Sequence, residues 1–380
     1  MLQRLRDLIT RDVVPLRTEQ IVDLGRQEFL SNAQAIGPGS SLSAVWNGNV
    51  GALETTVRGA GNAELVCEIA TSFGHFTFPR LVTDAHFERI RDDYFDWLNR
   101  HGAWRLLPPM LSETPHAVAN STFEAQGRRL SIGLLLHLCV LYRLLANRIS
   151  LGRVLEIGGG FGALARLIKL ASPGTRYVIM DLPESLFFSS TFLRLHFPRA
   201  RTVYVASPSD LNKTADFMFV PAHRVDWLDN QSFDLAINVN SLGEMLQPTV
   251  DRYMRLINGG RIKHFYGINR FGEHTNPGLP GRDGRKCTPD LADMSMWFDD
   301  GWSNLIWAIH DESDGFSQIE PAAPPYLEVL MRRGPGDALG SGDNHRDLWS
   351  RAWKDRAARK HYGEFLRQRG WVEADWLLRD

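Results

Sequence analysis

Cysteine is scarce. Cys67, Cys139 and Cys287 are the only three in 380 residues. They lie far apart and match no metal-ligand or disulfide spacing, which argues against a disulfide scaffold and makes a reducing cytoplasm the expected setting. An excess of charge of one sign is also missing. Lys and Arg total 43 against 44 for Asp and Glu, with a pI near 6.9. Composition therefore gives no case for nucleic acid or a membrane as partner. Long apolar runs are absent too. The most apolar stretch, Ile132 to Ala146, is broken by His137 and Arg143 and is too short to span a bilayer. The opening MLQRLRDLITRDVVPL lacks the uninterrupted apolar core of a signal peptide. No internal repeat is present. The expectation is a soluble cytoplasmic protein with a small-molecule partner; homo-oligomerisation is left open.

What is present is an ordinary globular composition, 43% hydrophobic. The length suits two domains or one enlarged one. One stretch organises the rest: RVLEIGGGFGALARLIKLASPGTRYVIMD, Arg153 to Asp181. Val154 to Ile157 is a short apolar run suited to a buried parallel strand. Gly158, Gly160 and Gly162 follow at alternate positions and let the backbone turn sharply and approach a ligand. Leu164, Leu167, Ile168 and Ala171 then repeat at helical spacing, Pro173-Gly174 ends the helix, and Tyr177 to Met180 makes a second strand closing on Asp181. This pattern predicts a βαβ unit with a helix N-terminus facing a ligand and an acid placed for a ribose diol.

Two ligand classes use that geometry. Gly158, Gly160 and Ala163 fit the GxGxxA form of nicotinamide and flavin binders equally well. Glu156, two residues before the first glycine, discriminates. A carboxylate there faces a pyrophosphate unfavourably and suits the ammonium of S-adenosylmethionine. The run VLEIGGGFGALARL followed by MDLPE resembles the class I S-adenosylmethionine-dependent methyltransferases. The longer series EIGGGFG, DLPESLFFSSTFLRLHFP, FDLAINVNSLGEM and FYGINR resembles the family of sugar O-methyltransferases found in polysaccharide and natural-product gene clusters. These motifs run from Glu156 to Arg270, about a third of the chain.

The expected fold class is α/β. A Rossmann-like class I methyltransferase core with a mostly parallel sheet spans 151–333. A mainly helical region, 1–150, precedes it, and a C-terminal helical extension, 334–380, follows. Helices are expected over 17–35, from Thr83 or Asp84 to about His101, and over 124–149 with Gly152 as its cap. Pro183 fits the first turn of the helix after strand two. Phe217 to Val220 is favoured over Val203 to Val205 as the third core strand. Phe233 to Asn238 is the fourth strand, 243–257 a returning helix, and 261–268 the fifth strand. The resemblance also implies a closing antiparallel hairpin from Ser317–Ile319 and Tyr326–Met331. Residues 345–369 read as a charged, solvated helix.

Candidate site residues follow from these placements. Glu156, Gly158, Gly160, Gly162, Asp181, Leu182, His223 and Asn238 are expected to hold the cofactor, with His223 beside the adenine. At the tips of strands four and five, Asn240, Glu244 and Asn269 are the catalytic candidates, with Glu244 as base and His223, His264 and His274 as rivals. Ser241, Arg270, His274, Trp297 and Trp302 are expected to meet the acceptor. The last three fall in a long connection, 271–315, read as a lid; a solvated loop with both tryptophans packed on the core stays open beside that reading. Asp290, Asp293, Asp299 and Asp300 match no ligand spacing, so no metal site is assigned and divalent-metal dependence is left open. The expected reaction is O-methylation of a sugar or sugar-bearing metabolite. A non-sugar acceptor, a dinucleotide-dependent oxidoreductase and a silent binding module are the alternatives.

Overall fold

The computed structural model describes residues 14–33, 54–76, 84–117, 122–245, 247–270, 298, 301–309 and 326–334. The expected strand at 317–319, the expected helix at 345–369 and most of the expected lid lie outside them.

The N-terminal region contains helices α1 (Thr18–Ala33), α2 (Ala63–Phe76) and α3 (Asp84–Arg100), with a further helical stretch at 54–59. The helix expected over 124–149 starts later. Gln126 and Gly127 both take left-handed φ, 53° and 65°, the requirement of a tight two-residue hairpin turn. That turn joins β1 (Phe123–Ala125) to β2 (Arg128–Leu130). Ser131 then caps α4 (Ile132–Ala146) by accepting the Leu134 N–H at 3.1 Å. Asn147, not Gly152, is the C-cap. Gly152 is small for another reason: a Cβ there would lie 2.6 Å from Asp234 Oδ2.

The core alternates strand and helix: β3 (Arg153–Ile157), α5 (Ala163–Ala171), β4 (Arg176–Asp181), α6 (Pro183–His196), β5 (Thr202–Tyr204), β6 (Phe217–Pro221), β7 (Phe233–Val239), α7 (Gln247–Asn258) and β8 (Ile262–Arg270). β9 (Trp302–Ile309) and β10 (Tyr326–Arg333) complete the described strands. The large sheet runs β5-β6-β4-β3-β7-β8-β10-β9. From β5 across to β8 the strands are parallel, and β10 runs antiparallel to both β8 and β9. The fold is α/β with a mixed, mostly parallel sheet and N-terminal helices. The favoured third strand, 217–220, pairs with β4 as expected. Residues 326–333 lie between β8 and 302–309, however, so β9 takes these last residues out of the loop read as a lid.

The inner strands are apolar on both faces because both are covered. On one face Leu138, Leu141, Leu164, Ile168 and Phe192 pack against Ile179, Leu235 and Tyr266. On the other, Tyr253 and Ile257 of α7 pack with Leu155, Val178 and Phe265. α3 and α4 enter the first cluster, so the N-terminal region shares its core with the sheet. Ile21, Val22 and Phe29 of α1 join Val66 of α2 over Phe187 and Phe188 of α6. Gly25 permits this approach, since a Cβ would already lie 3.1 Å from Thr191 Oγ1. Glu28 locks the contact, taking two bonds from Arg194 at 2.7 and 2.8 Å.

The chain leaves β3 toward β4, β6 and β5, then returns to β7 on the other side of β3. That reversal opens a crevice at the carboxyl ends of β3 and β7, the usual ligand position in such sheets.

Glu28 and Arg194 are both largely buried, with side chains 15% and 6% exposed. Glu28→Ala leaves a buried guanidinium without its carboxylate and should cost about 3–5 kcal/mol. Glu28→Met with Arg194→Met should recover most of that loss. Urea unfolding of the single and double variants checks both; a single variant as stable as the parent would show that the pair does not hold α1 to α6.

Candidate functional site

The site starts at the end of β3. Gly158, Gly160 and Gly162 take φ of 71°, 54° and 87°, a left-handed series that L side chains rarely adopt. A Cβ on Gly158 would sit 2.1 Å from Ser241 Oγ. Gly162 is the N-cap of α5. Gly160 faces open space: a Cβ there would meet nothing within 4 Å. Gly159 carries no motif signal in the sequence, yet a Cβ there would lie 2.8 Å from Ile179 Cγ2 and 2.9 Å from Glu156 Oε2.

Glu156 lies under this loop, 4% exposed. Tyr177 donates its hydroxyl to Oε2 at 3.0 Å. Burial pushes the Glu156 carboxyl up to about 8, against the phenol's bond and with some help from the Asp181 charge. Asp181 ends β4. Its Oδ2 accepts the Gly160 N–H and its Oδ1 the Leu182 N–H, each at 2.7 Å. Burial pushes this carboxyl up to about 6, opposed by those two bonds. The Ser185 side chain is a third donor to this carboxylate, which leaves about one of its acceptor positions for a ligand hydroxyl.

The tips of β3, β7 and β8 are stitched by amides. Asn238 donates to Ile157 O at 2.8 Å and to Ser241 Oγ at 2.5 Å. Ser241 Oγ donates to Ile157 O at 3.2 Å. The Leu242 N–H is shared by Asn238 Oδ1 and Asn269 Oδ1, at 3.2 and 3.1 Å. Asn238 and Asn269 are fully buried. Ser241 is therefore committed beneath Gly158, and Asn238 to the strand tips. Asn269 differs, because its Nδ2 is buried without a partner among the described residues. Asn240 is exposed and left-handed at φ 57°, a conformation Asn tolerates. Its N–H donates to Ile268 O at 2.7 Å, which ties its backbone to β8.

Glu244 does not open a helix. It ends a 3-10 turn, Leu242–Glu244, and extended Met245 separates it from α7. The turn keeps its backbone next to Asn269, through the Leu242 N–H. His264 lies in β8 with Nδ1 on Asp234 O at 3.1 Å, which removes it from the rival bases. His223 follows the tip of β6. Its Nε2 accepts from Arg224 Nε at 3.2 Å, and its Nδ1 is buried without a partner among the described residues. Burial, then the charges of Arg224 and Arg252, hold this imidazole below its ordinary value, so it is neutral near pH 7. Tyr253 of α7, which no sequence motif marks, is buried beside this end of the site. Burial first, and the charge of Asp181 second, push its phenol up.

Trp302, expected to meet the acceptor, lies elsewhere. It starts β9 opposite Arg333, at the amino end of the sheet and away from the glycine loop. It is 3% exposed, donates Nε1–H to Asn258 at 3.0 Å and carries Arg333 over its ring at 4.8 Å. It packs on the core and cannot stack on a ligand at the carboxyl ends. Arg270 ends β8 in backbone position. His274, Trp297, Asp290, Asp293, Asp299 and Asp300 lie outside the described residues.

No family model matches the chain, and no curated protein matches it either. Solved structures resemble it partially. The mitomycin 7-O-methyltransferase MmcR is 14% identical with a TM-score of 0.32, over 53% of this chain and 57% of that one. An S-adenosylmethionine-dependent methyltransferase from Clostridium acetobutylicum is 11% identical with a TM-score of 0.34, over 52% of this chain and 89% of that one. PigF with SAH is 16% identical with a TM-score of 0.32, over 48% of this chain and 50% of that one. The fold stands on the strand order and register, not on these likenesses.

The raised Glu156 pKa has a stability consequence. Unfolded, the carboxyl titrates near 4.5; folded, near 8. The native state therefore holds an extra proton between these values, and its stability falls as pH rises through that window, by at most about 1.4 kcal/mol per unit. Glu156→Gln should flatten the slope. Urea unfolding of the ligand-free protein from about pH 5 to 8 checks it; parallel curves for parent and variant would show that Glu156 is not neutral in the empty site.

Proposed function

We propose that this chain is an S-adenosylmethionine-dependent O-methyltransferase acting on a hydroxyl of a sugar or sugar-bearing small molecule. The observation that carries the cofactor reading is a carboxylate, Glu156, buried under a left-handed glycine loop with Asp181 at the neighbouring strand tip. Glu156 meets the ammonium of the methionyl end. Asp181 takes the ribose diol, with the Gly160 and Leu182 N–H groups fixing its orientation. His223 Nδ1 is the buried polar atom at the adenine end. A dinucleotide pyrophosphate would face Glu156 unfavourably once that group ionises, which disfavours the oxidoreductase alternative.

The cofactor, when bound, supplies an already activated methyl group. The chain must then align the acceptor and move one proton. Alignment alone contributes up to roughly 7–11 kcal/mol in model systems. Asn240 and the unpartnered Asn269 Nδ2 hold the acceptor by hydrogen bonds, and Glu244, beside them in the 3-10 turn, takes the hydroxyl proton. The sugar as acceptor rests on the motif resemblance from Glu156 to Arg270, and Arg270 at the end of β8 is a further acceptor contact. A solvated small molecule, with neither nucleic acid nor membrane involved, is the partner this reading requires.

Calorimetry with S-adenosylhomocysteine and with NAD(H) tests the cofactor. The first should bind and the second should not. Gly160→Val should keep the fold, because the space around that position is open, at a cost of about 1–2 kcal/mol for the left-handed backbone. It should abolish S-adenosylhomocysteine binding, because the side chain would fill the ligand's space; unchanged affinity in the folded variant would sink this placement.

Methyl transfer to a panel of sugars tests the reaction. Glu244→Gln should lower kcat by about a hundred- to ten-thousand-fold and leave cofactor affinity near the parent value. Full kcat in that variant would remove Glu244 as base and leave His223 and His274 as candidates.

A further inference from the structure

One buried group at the site has no role so far. Tyr177 is 1% exposed in the middle of the sheet, and its phenol reaches the Glu156 carboxylate at 3.0 Å. Strand register explains how. Glu156 lies opposite Ile179 in the β3–β4 pair. Tyr177 is two residues earlier, so its side chain leaves the same face of the sheet. Its ring is long enough to carry a hydroxyl up to the strand end. From above, the missing side chain of Gly159 leaves the carboxylate room: a Cβ there would lie 2.9 Å from Oε2. Only Oε2 is taken, and Oε1 has no partner among the described residues.

We propose that Tyr177 is a positioning residue for the cofactor: its phenol fixes one oxygen of Glu156 so that the other meets the ligand ammonium. The inference rests on the cofactor reading above. A bare buried carboxylate has alternative rotamers and a strong preference for its neutral form. A donor on one oxygen removes the first and opposes the second. Among the described residues the titratable groups acting on Glu156 are Tyr177, whose bond favours the ionised form, and Asp181, whose charge disfavours it. Binding of the ammonium ionises Glu156 and releases its proton, so affinity should rise with pH toward the Glu156 midpoint. Removing the phenol moves that midpoint upward.

The test is calorimetry of the parent and of Tyr177→Phe with two ligands, from about pH 6 to 8.5. S-adenosylhomocysteine carries the amino-acid end. Methylthioadenosine keeps the nucleoside and thioether but lacks that end. Tyr177→Phe should weaken S-adenosylhomocysteine roughly tenfold or more, shift its pH dependence upward, and leave methylthioadenosine unchanged. Glu156→Gln should give the same selective loss, and adding Tyr177→Phe to it should cost little more. Equal weakening of both ligands, or additive losses in the double variant, would make the phenol a packing group and overturn the inference. So would an unchanged affinity and pH profile for S-adenosylhomocysteine in Tyr177→Phe. If the parent protein binds neither ligand, the cofactor reading itself fails and this inference falls with it.

Discussion

A carboxylate buried at the switch point of the sheet sets the terms for its surroundings. Glu156 stands near the end of the central strand, where both faces of the sheet are covered. Burial there is costly for a charged group. The neighbourhood answers with the Tyr177 phenol below and the bare backbone of Gly159 above. The same crowding fixes the loop. Gly158 must lack a side chain because Ser241 occupies that space, and Ser241 is held there by Asn238 and the Ile157 carbonyl. The glycine loop is thus shaped from beneath by polar side chains of the sheet as well as by its own conformational freedom.

Rigid and open parts of the site are divided by strand tip. Asn238 and Ser241 spend their hydrogen bonds on the backbone and hold β3 and β7 together. Asn269 commits its oxygen in the same way but keeps a buried N–H group free of any partner among the described residues. An unsatisfied buried donor is costly, and persists most readily where a ligand can satisfy it. Asn240, held left-handed by its bond to Ile268, projects from the same platform. Chemistry that needs an aligned acceptor is best mounted on such a base, because its backbone has few ways to move.

The N-terminal helices belong to this arrangement. α1 and α2 cover α6, and α6 begins two residues after Asp181. The Glu28–Arg194 pair and the close approach at Gly25 hold that helix in place. Phe161, inside the glycine loop, packs against both the sheet cluster and the cluster formed by α1 and α2. Its ring stands edge-on to Phe192 of α6 at 5.2 Å. The N-terminal region thereby reaches the glycine loop.

Local sequence determined the βαβ unit, the three left-handed glycines, the acid at each strand tip and the choice of 217–220 over 203–205 as the inner strand. Apolar runs, helical spacing and glycine geometry are short-range properties, legible without the fold. Where local signals competed, the sequence misled: the apolar period of 124–149 hid a hairpin that two left-handed residues impose, and the hairpin inferred partly from the resemblance set 317–319 beside 326–331, whose described partners are β8 and β9. Tertiary structure alone decided which polar residues are committed and which are available. Nothing local distinguishes Ser241, bonded under Gly158, from Asn240, left exposed, or reveals that Tyr177 serves Glu156 from another strand. Trp302 reads as a sugar platform because the long connection that holds it leaves the carboxyl end of the fifth strand, where ligands bind in such sheets. Its place at the amino end of the sheet follows from strand pairing, a long-range hydrogen-bonding choice that no nearby residue encodes.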